Sequence, residues 1–299
     1  MALVVVSSVG FATLPLFGKL GYASGVEPFA LLAWRFCLAA VVLAAVAVVR
    51  ARRRRVAVLP PRPLVLRLVL TGALLLTGEV VLYFLGLQRV SAGLAETLLF
   101  LYPAWVVLFA AVVLGLRPTA VMVLCVAGAV VWAALTVGGA GTGEPVGVLM
   151  VVAASAGFGA YVLVASRLVP RAGSLRGTAL VMTGAAVSFV LLVVVTRSRG
   201  PADLGGWVAV LGMAVLGTVV SFGLLSAGLA RLGAGQAAVI STVEPVVTVV
   251  LGAVLLGEAV GVLQVVGMVV ILGSVAVLLV SEARAAKDPV LDPGMIPRD

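Results

Sequence analysis

Histidine is missing from the sequence, which removes histidine general bases, histidine pH switches and most zinc sites. Cysteine occurs twice, and Cys37 and Cys125 both sit within apolar runs, where each reads as a small buried hydrophobe and not as a metal ligand or disulfide partner. Charge is scarce too. Only 10% of the 299 residues are charged and 63% are hydrophobic, against about 25% and 45–50% in soluble domains, so the composition is that of a membrane protein. The apolar runs are continuous and lack the period-2 alternation of lipid-facing strands, which excludes a β-barrel and leaves helices as the only backbone that can satisfy itself in lipid. The pI of 10.7 does not imply a nucleic-acid partner, because the basic residues cluster in short loops beside the apolar runs.

A spanning helix needs about 20 apolar residues. Breaking the chain at glycine, proline and charge clusters predicts ten, near 2–21, 29–49, 65–87, 92–114, 118–138, 146–168, 177–196, 205–229, 235–256 and 260–281. The first starts without a basic n-region, so it is expected to be a retained span. Ten alternating spans place fifteen Lys and Arg on one side, the run Arg52–Arg55 among them. Lys19, Arg89, Arg197 and Arg199 fall on the other side, and Arg35 lies within a span. The positive-inside rule then predicts cytoplasmic termini, and the pattern suits a bacterial inner membrane.

The chain resembles itself at an offset of 142 residues. Between the third and fourth spans and the eighth and ninth, Gly86/Gly228, Arg89/Arg231, Gly93/Gly235, Pro103/Pro245 and Gly115/Gly257 fall in register. A bias toward Val, Leu and Ala cannot produce that. A weaker echo at offset 147 pairs Ser8, Gly10 and Phe11 with Ser155, Gly157 and Phe158. The expected organisation is two five-helix halves, 1–140 and 145–285, and a short cytoplasmic tail, 286–299. Five is odd, so the second half must enter the membrane from the opposite side, and a substrate site is expected near midplane where the halves meet.

Several stretches resemble a known family. Phe11 through Lys19, Glu27-Pro28, Trp34-Arg35-Phe36, Ala95 through Pro103 and Leu114-Gly115 are similar to an EamA repeat, and Val243-Glu244-Pro245 with Leu255-Leu256-Gly257-Glu258 are similar to its second copy. The resemblance covers nearly the whole chain and implies the drug/metabolite transporter superfamily, an all-α membrane fold of ten helices in two inverted EamA repeats. It further implies export of amino acids or related metabolites. The usual Leu-Gly-Glu is Leu114-Gly115-Leu116 in the first repeat, so the motif's acid carries over only to Glu258.

Charged residues inside spans are expected to face the bundle interior, because each costs roughly 2.5–3.5 kcal/mol in lipid on insertion scales. Glu79 and Tyr83, four apart, share a helix face and form the leading binding pair, with Ser221 at the repeat-related position of Glu79. The competing reading pairs Glu79 with Arg35 or with backbone. Tyr102, Trp105, Ser241 and Glu244 extend the candidate site, with Tyr161 and Phe11 as further walls. Glu96, near the outer face, reads as solvated and ranks behind Glu79 and Glu244. Pro15, Pro103 and Pro245 are expected kinks, freeing carbonyls for a ligand or only shaping the packing. The resemblance places the second helix at the periphery, which makes Arg35 a structural ion pair or a snorkelled contact. Trp34, Trp132 and Trp207 are expected in lipid-facing, interfacial or packing roles.

The expected mechanism is alternating access to a cavity that the resemblance lines with the first, third, fourth, sixth, eighth and ninth helices. Amino-acid export, passive or proton-coupled, is the leading reading. Efflux of cationic or aromatic drug-like compounds is the alternative. An intramembrane enzyme is disfavoured by the lack of a nucleophile motif and of any Asp inside a span. No cofactor or metal is expected.

Overall fold

The structure is a computed structural model that describes residues 1–113, 144–232, 240–241, 243–262, 265–270 and 273. Among these residues it is helical, without β-strands. Seven helices are long and apolar enough to cross a membrane: Ala2–Ala23, Pro28–Arg53, Arg62–Leu87, Ala92–Val113, Pro145–Ala172, Ser174–Thr196 and Leu204–Leu225. They match seven of the ten expected runs. A shorter apolar helix, Val243–Leu256, covers part of the ninth. The expected fifth span (118–138), most of the tenth, the tail 286–299, Cys125 and Trp132 lie outside the described residues.

Exposure is arranged inside out compared with a soluble protein. Val41, Leu66, Leu74, Leu191, Val194 and Leu204 lie on the outer surface, while Glu79, Glu96, Arg35 and Thr97 are buried. Leaving such branched apolar side chains outside is stable only against hydrocarbon.

Local chemistry sets the ends and interruptions of these helices. Helix α1 (Ala2–Ala12) gives way at Thr13 to α2 (Leu14–Ala23), whose first turn holds Pro15, a residue with no N–H for the preceding turn. Thr13 Oγ1 donates to Gly10 O at 2.6 Å across the break. Helix α3 (Pro28–Arg53) starts on proline and finishes on Arg50, Arg52 and Arg53, the favourable order for a helix dipole. The third span is α4 (Arg62–Leu70), a π-helical turn at Thr71–Leu76 and α5 (Thr77–Leu87). The fourth is α6 (Ala92–Leu99) and α7 (Tyr102–Val113), interrupted at Phe100 and Leu101 just before Pro103. Long helices α8 (Pro145–Ala172) and α9 (Ser174–Thr196) follow. Then come α10 (Leu204–Ala214), a second π turn at Val215–Val220, α11 (Ser221–Leu232) and α12 (Val243–Leu256). The third and eighth spans therefore each carry a six-residue π turn at nearly repeat-related positions.

The halves interlock through their own repeat. A methyl added at Gly10 of α1 would run into the Ser221 hydroxyl on α11, and one added at Gly157 of α8 would come within 3.0 Å of Glu79 Cβ on α5. Gly10 and Gly157 correspond in the sequence echo, as do Ser221 and Glu79. Thus the first helix of each half crosses the third span of the other at a glycine, where backbones can approach closely. A second equivalent pair lies two residues on. Thr248 Oγ1 donates to Ala12 O at 3.3 Å, and Gly159 packs on Trp105 and the Tyr102 carbonyl. Helices α3 and α9 pack along their length beside this seam, with Phe36 and Phe189 stacked at 5.2 Å.

Candidate functional site

The seam encloses a cavity of about 200 Å³ whose wall is mostly apolar and aromatic, with a few charged and hydroxyl groups converging on it. Of the candidates drawn from the sequence, Phe11, Glu79, Tyr83, Tyr102, Tyr161, Ser241 and Glu244 line it. Phe11 meets Phe222 edge-on at 5.1 Å. Tyr102, Phe158 and Tyr161 form a continuous run, with centroids 4.8 and 5.8 Å apart. Repeat-related Phe11 and Phe158 thus each anchor an aromatic group in the wall.

Tyr83 and Glu79 share a face of α5 as expected from their spacing, but the phenol is committed elsewhere: Tyr83 Oη donates to Glu96 Oε2 at 2.8 Å. Glu96 is 3% exposed and lines the cavity, so the expectation of a solvated Glu96 is corrected. Distance along a span does not report which side of the helix faces the bundle, and α6 turns Glu96 inward before its break at Phe100. Glu244 from the other half lines the same cavity.

Two candidates stand outside the cavity. Ser221 is fully buried against Gly10, with its hydroxyl donating to Leu216 O at 2.6 Å and its carbonyl accepting from Ser7 Oγ at 2.8 Å. Both polar atoms are spent on helix packing. Trp105 turns toward α8, where Nε1 donates to Ser155 Oγ at 3.0 Å and the ring stacks on Phe109. Trp34 and Trp207 meet edge-on at 5.0 Å on the outer surface, away from the cavity.

Arg35 departs most from the sequence expectation. It is 6% exposed and lines the cavity, so the second helix contributes to the site, as the seventh does through Met182. No carboxylate among the described residues lies within 4.0 Å of it, so it makes no ion pair there. Its Nε instead donates to Thr218 Oγ1 at 3.0 Å, and its guanidinium stands 4.8 and 5.9 Å from the ring centres of Phe36 and Phe84. Thr218 sits in the second π turn and donates its own proton to Met213 O at 3.0 Å. The π turn thus presents a hydroxyl with a free lone pair to the arginine. Nothing in the sequence marks that turn.

The acid of the carried-over motif lies at the end of the seam. Both Glu258 oxygens stand 2.9 Å from the Ala92 N–H at the start of α6, and Lys19 Nζ lies 3.9 Å from Glu258 while donating to Val90 O at 2.6 Å. Nearby, Arg89 pairs with Glu144 at 2.8 Å.

A bundle of apolar helices around an internal cavity of solute size defines a multi-pass membrane protein built to hold a small molecule. The EamA-like transporter family matches residues 1–138 and again residues 145–280, and the chain belongs to that family. It is 28% identical over 282 residues to the uncharacterized transporter YcbK of Bacillus subtilis (strain 168), covering 88% of this chain and 87% of that one. A solved crystal structure shares the fold with a TM-score of 0.64 at 22% identity, over 95% of this chain and 97% of its own. Membership of a transporter family points away from an enzymatic role.

Proposed function

We propose that the protein exports amino acids or related small metabolites across the bacterial inner membrane by alternating access, with two inverted five-helix halves closing in turn on the cavity between them. The observation that carries this reading is the cavity itself, placed in the seam and walled from both halves. At about 200 Å³ it is smaller than the roughly 300–1,000 Å³ of drug-sized pockets, which favours a metabolite. The reciprocal glycine crossings support the repeat symmetry, and the excess of Lys and Arg on one side supports cytoplasmic termini. The carboxyls of Glu79, Glu96 and Glu244 lining one cavity support coupling to protons, since a substrate ammonium entering among them would compete with a proton.

The alternative, efflux of cationic or aromatic compounds, draws on a different feature: three carboxyls line the cavity against one guanidinium. Counterflow in proteoliposomes separates the two. Exchange of labelled amino acids is the expected result. Flux of tetraphenylphosphonium without any amino-acid flux would reverse the assignment.

A further inference from the structure

We propose that Arg35 is a substrate-binding residue that receives the carboxylate of a zwitterionic α-amino acid, while Glu79 receives its ammonium and the aromatic walls hold a large apolar side chain. This rests on the amino-acid reading above and specifies its substrate class.

A guanidinium carries five N–H donors. Arg35 spends one on Thr218, and among the described residues the other four meet no acceptor although the side chain is 6% exposed. Buried donors left unmet are costly, and a buried arginine without a carboxylate partner is costlier still. Those donors border a cavity of solute size, and a bidentate carboxylate is the group whose geometry a guanidinium fork fits. The Thr218 bond and the Phe36 and Phe84 rings fix the plane of the fork, so little order remains to be imposed on binding.

Glu79 makes the complementary case. It is 6% exposed, lines the same cavity and accepts no hydrogen bond from any described residue. Arg35 and Glu79 are near neighbours that do not touch. Direct contact would satisfy both and leave nothing for a ligand. With no pair within 4.0 Å and both groups on one cavity wall, a ligand bearing both an ammonium and a carboxylate is the partner that would satisfy both. Phe11, Phe158 and Phe222 then offer apolar surface to the side chain.

The test uses the whole protein in proteoliposomes, with labelled L-phenylalanine and L-leucine as substrates and L-phenylalaninamide and 3-phenylpropionate as competitors. Both amino acids should exchange. On the unaltered protein, each competitor should inhibit roughly tenfold or more weakly than phenylalanine, because each lacks one charged end. Arg35→Gln should weaken phenylalanine to the level of its amide while leaving the amide unchanged, and Thr218→Val should weaken phenylalanine by less, again with the amide unchanged. If Arg35→Gln fails to fold, the competitor series on the unaltered protein decides. Equal inhibition by phenylalanine and its amide would overturn the role of Arg35 while leaving amino-acid export standing. Absence of exchange for both amino acids would overturn the substrate class, and cation flux in its place would overturn the export reading as well.

Discussion

At the scale of single residues, the site is organised by polar groups that satisfy one another across the seam. Tyr83 donates to Glu96, and Arg35 donates to Thr218 of the other half. Tyr83→Phe removes one donor from a buried carboxyl and should cost about 1–3 kcal/mol, read as a lower thermal unfolding midpoint in detergent. Glu79→Gln and Glu244→Gln keep shape and remove charge. Combined, they should abolish flux in a protein that still purifies as a single species, and unchanged flux would sink the acid roles. How far such residues were readable from sequence depended on charge. A glutamate inside an apolar run is conspicuous, so Glu79 and Glu244 could be nominated directly. Glu96 marks the limit: depth along a span is legible in sequence, but the side of the helix that faces the bundle is not. For Arg35 the resemblance points to an ion pair or a snorkelled contact at the periphery, whereas its partner, Thr218, is an uncharged residue 183 positions away whose hydroxyl is aimed by a backbone irregularity.

At the scale of elements, helix lengths and starts follow from apolar run length and from prolines such as Pro28 and Pro145, so seven spans could be read within a few residues. The π turns at Thr71–Leu76 and Val215–Val220 could not, because an extra residue in a helical turn leaves no mark in a uniformly apolar run. Helix crossings were half readable: glycines were expected at close approaches, but which helix each would meet was not. Gly72 abuts the Val181 backbone and Gly184 the Val69 carbonyl, a reciprocal crossing with no space for a side chain. Gly184→Val should therefore force the third and seventh spans apart, at a cost of about 1–3 kcal/mol or more, measurable as loss of the folded species on heating. Glu258 acts on the start of α6, whose first N–H it accepts. Glu258→Ala should cost about 0.5–2 kcal/mol, as loss of a cap does, with Glu258→Gln recovering part of it through the remaining amide oxygen. Equal melting of all three proteins would show that the contact has no energetic weight.

For the whole molecule, inversion of the halves rests on parity, and parity on a span count that includes residues outside those described. Gly10 against Ser221 and Gly157 against Glu79 are repeat-related contacts, and a twofold axis through the seam is what the proposed inversion requires to exchange them. If that axis lies in the membrane plane, segments five spans apart in sequence occupy opposite faces, and the basic loops must fall where ten alternating spans put them. With Cys37 and Cys125 replaced, single cysteines at positions 54 and 171 should react with an impermeant maleimide only when the cytoplasmic face of the membrane is opened. Single cysteines at positions 89 and 199 should react in intact cells. Those four positions flank the second, third, sixth and seventh spans, so the labelling fixes the sense of the two halves independently of any flux assay. Labelling of positions 54 and 171 from different faces would require an even number of spans in one half. The repeat would then be parallel, and the reciprocal exchange that alternating access needs would have no structural basis.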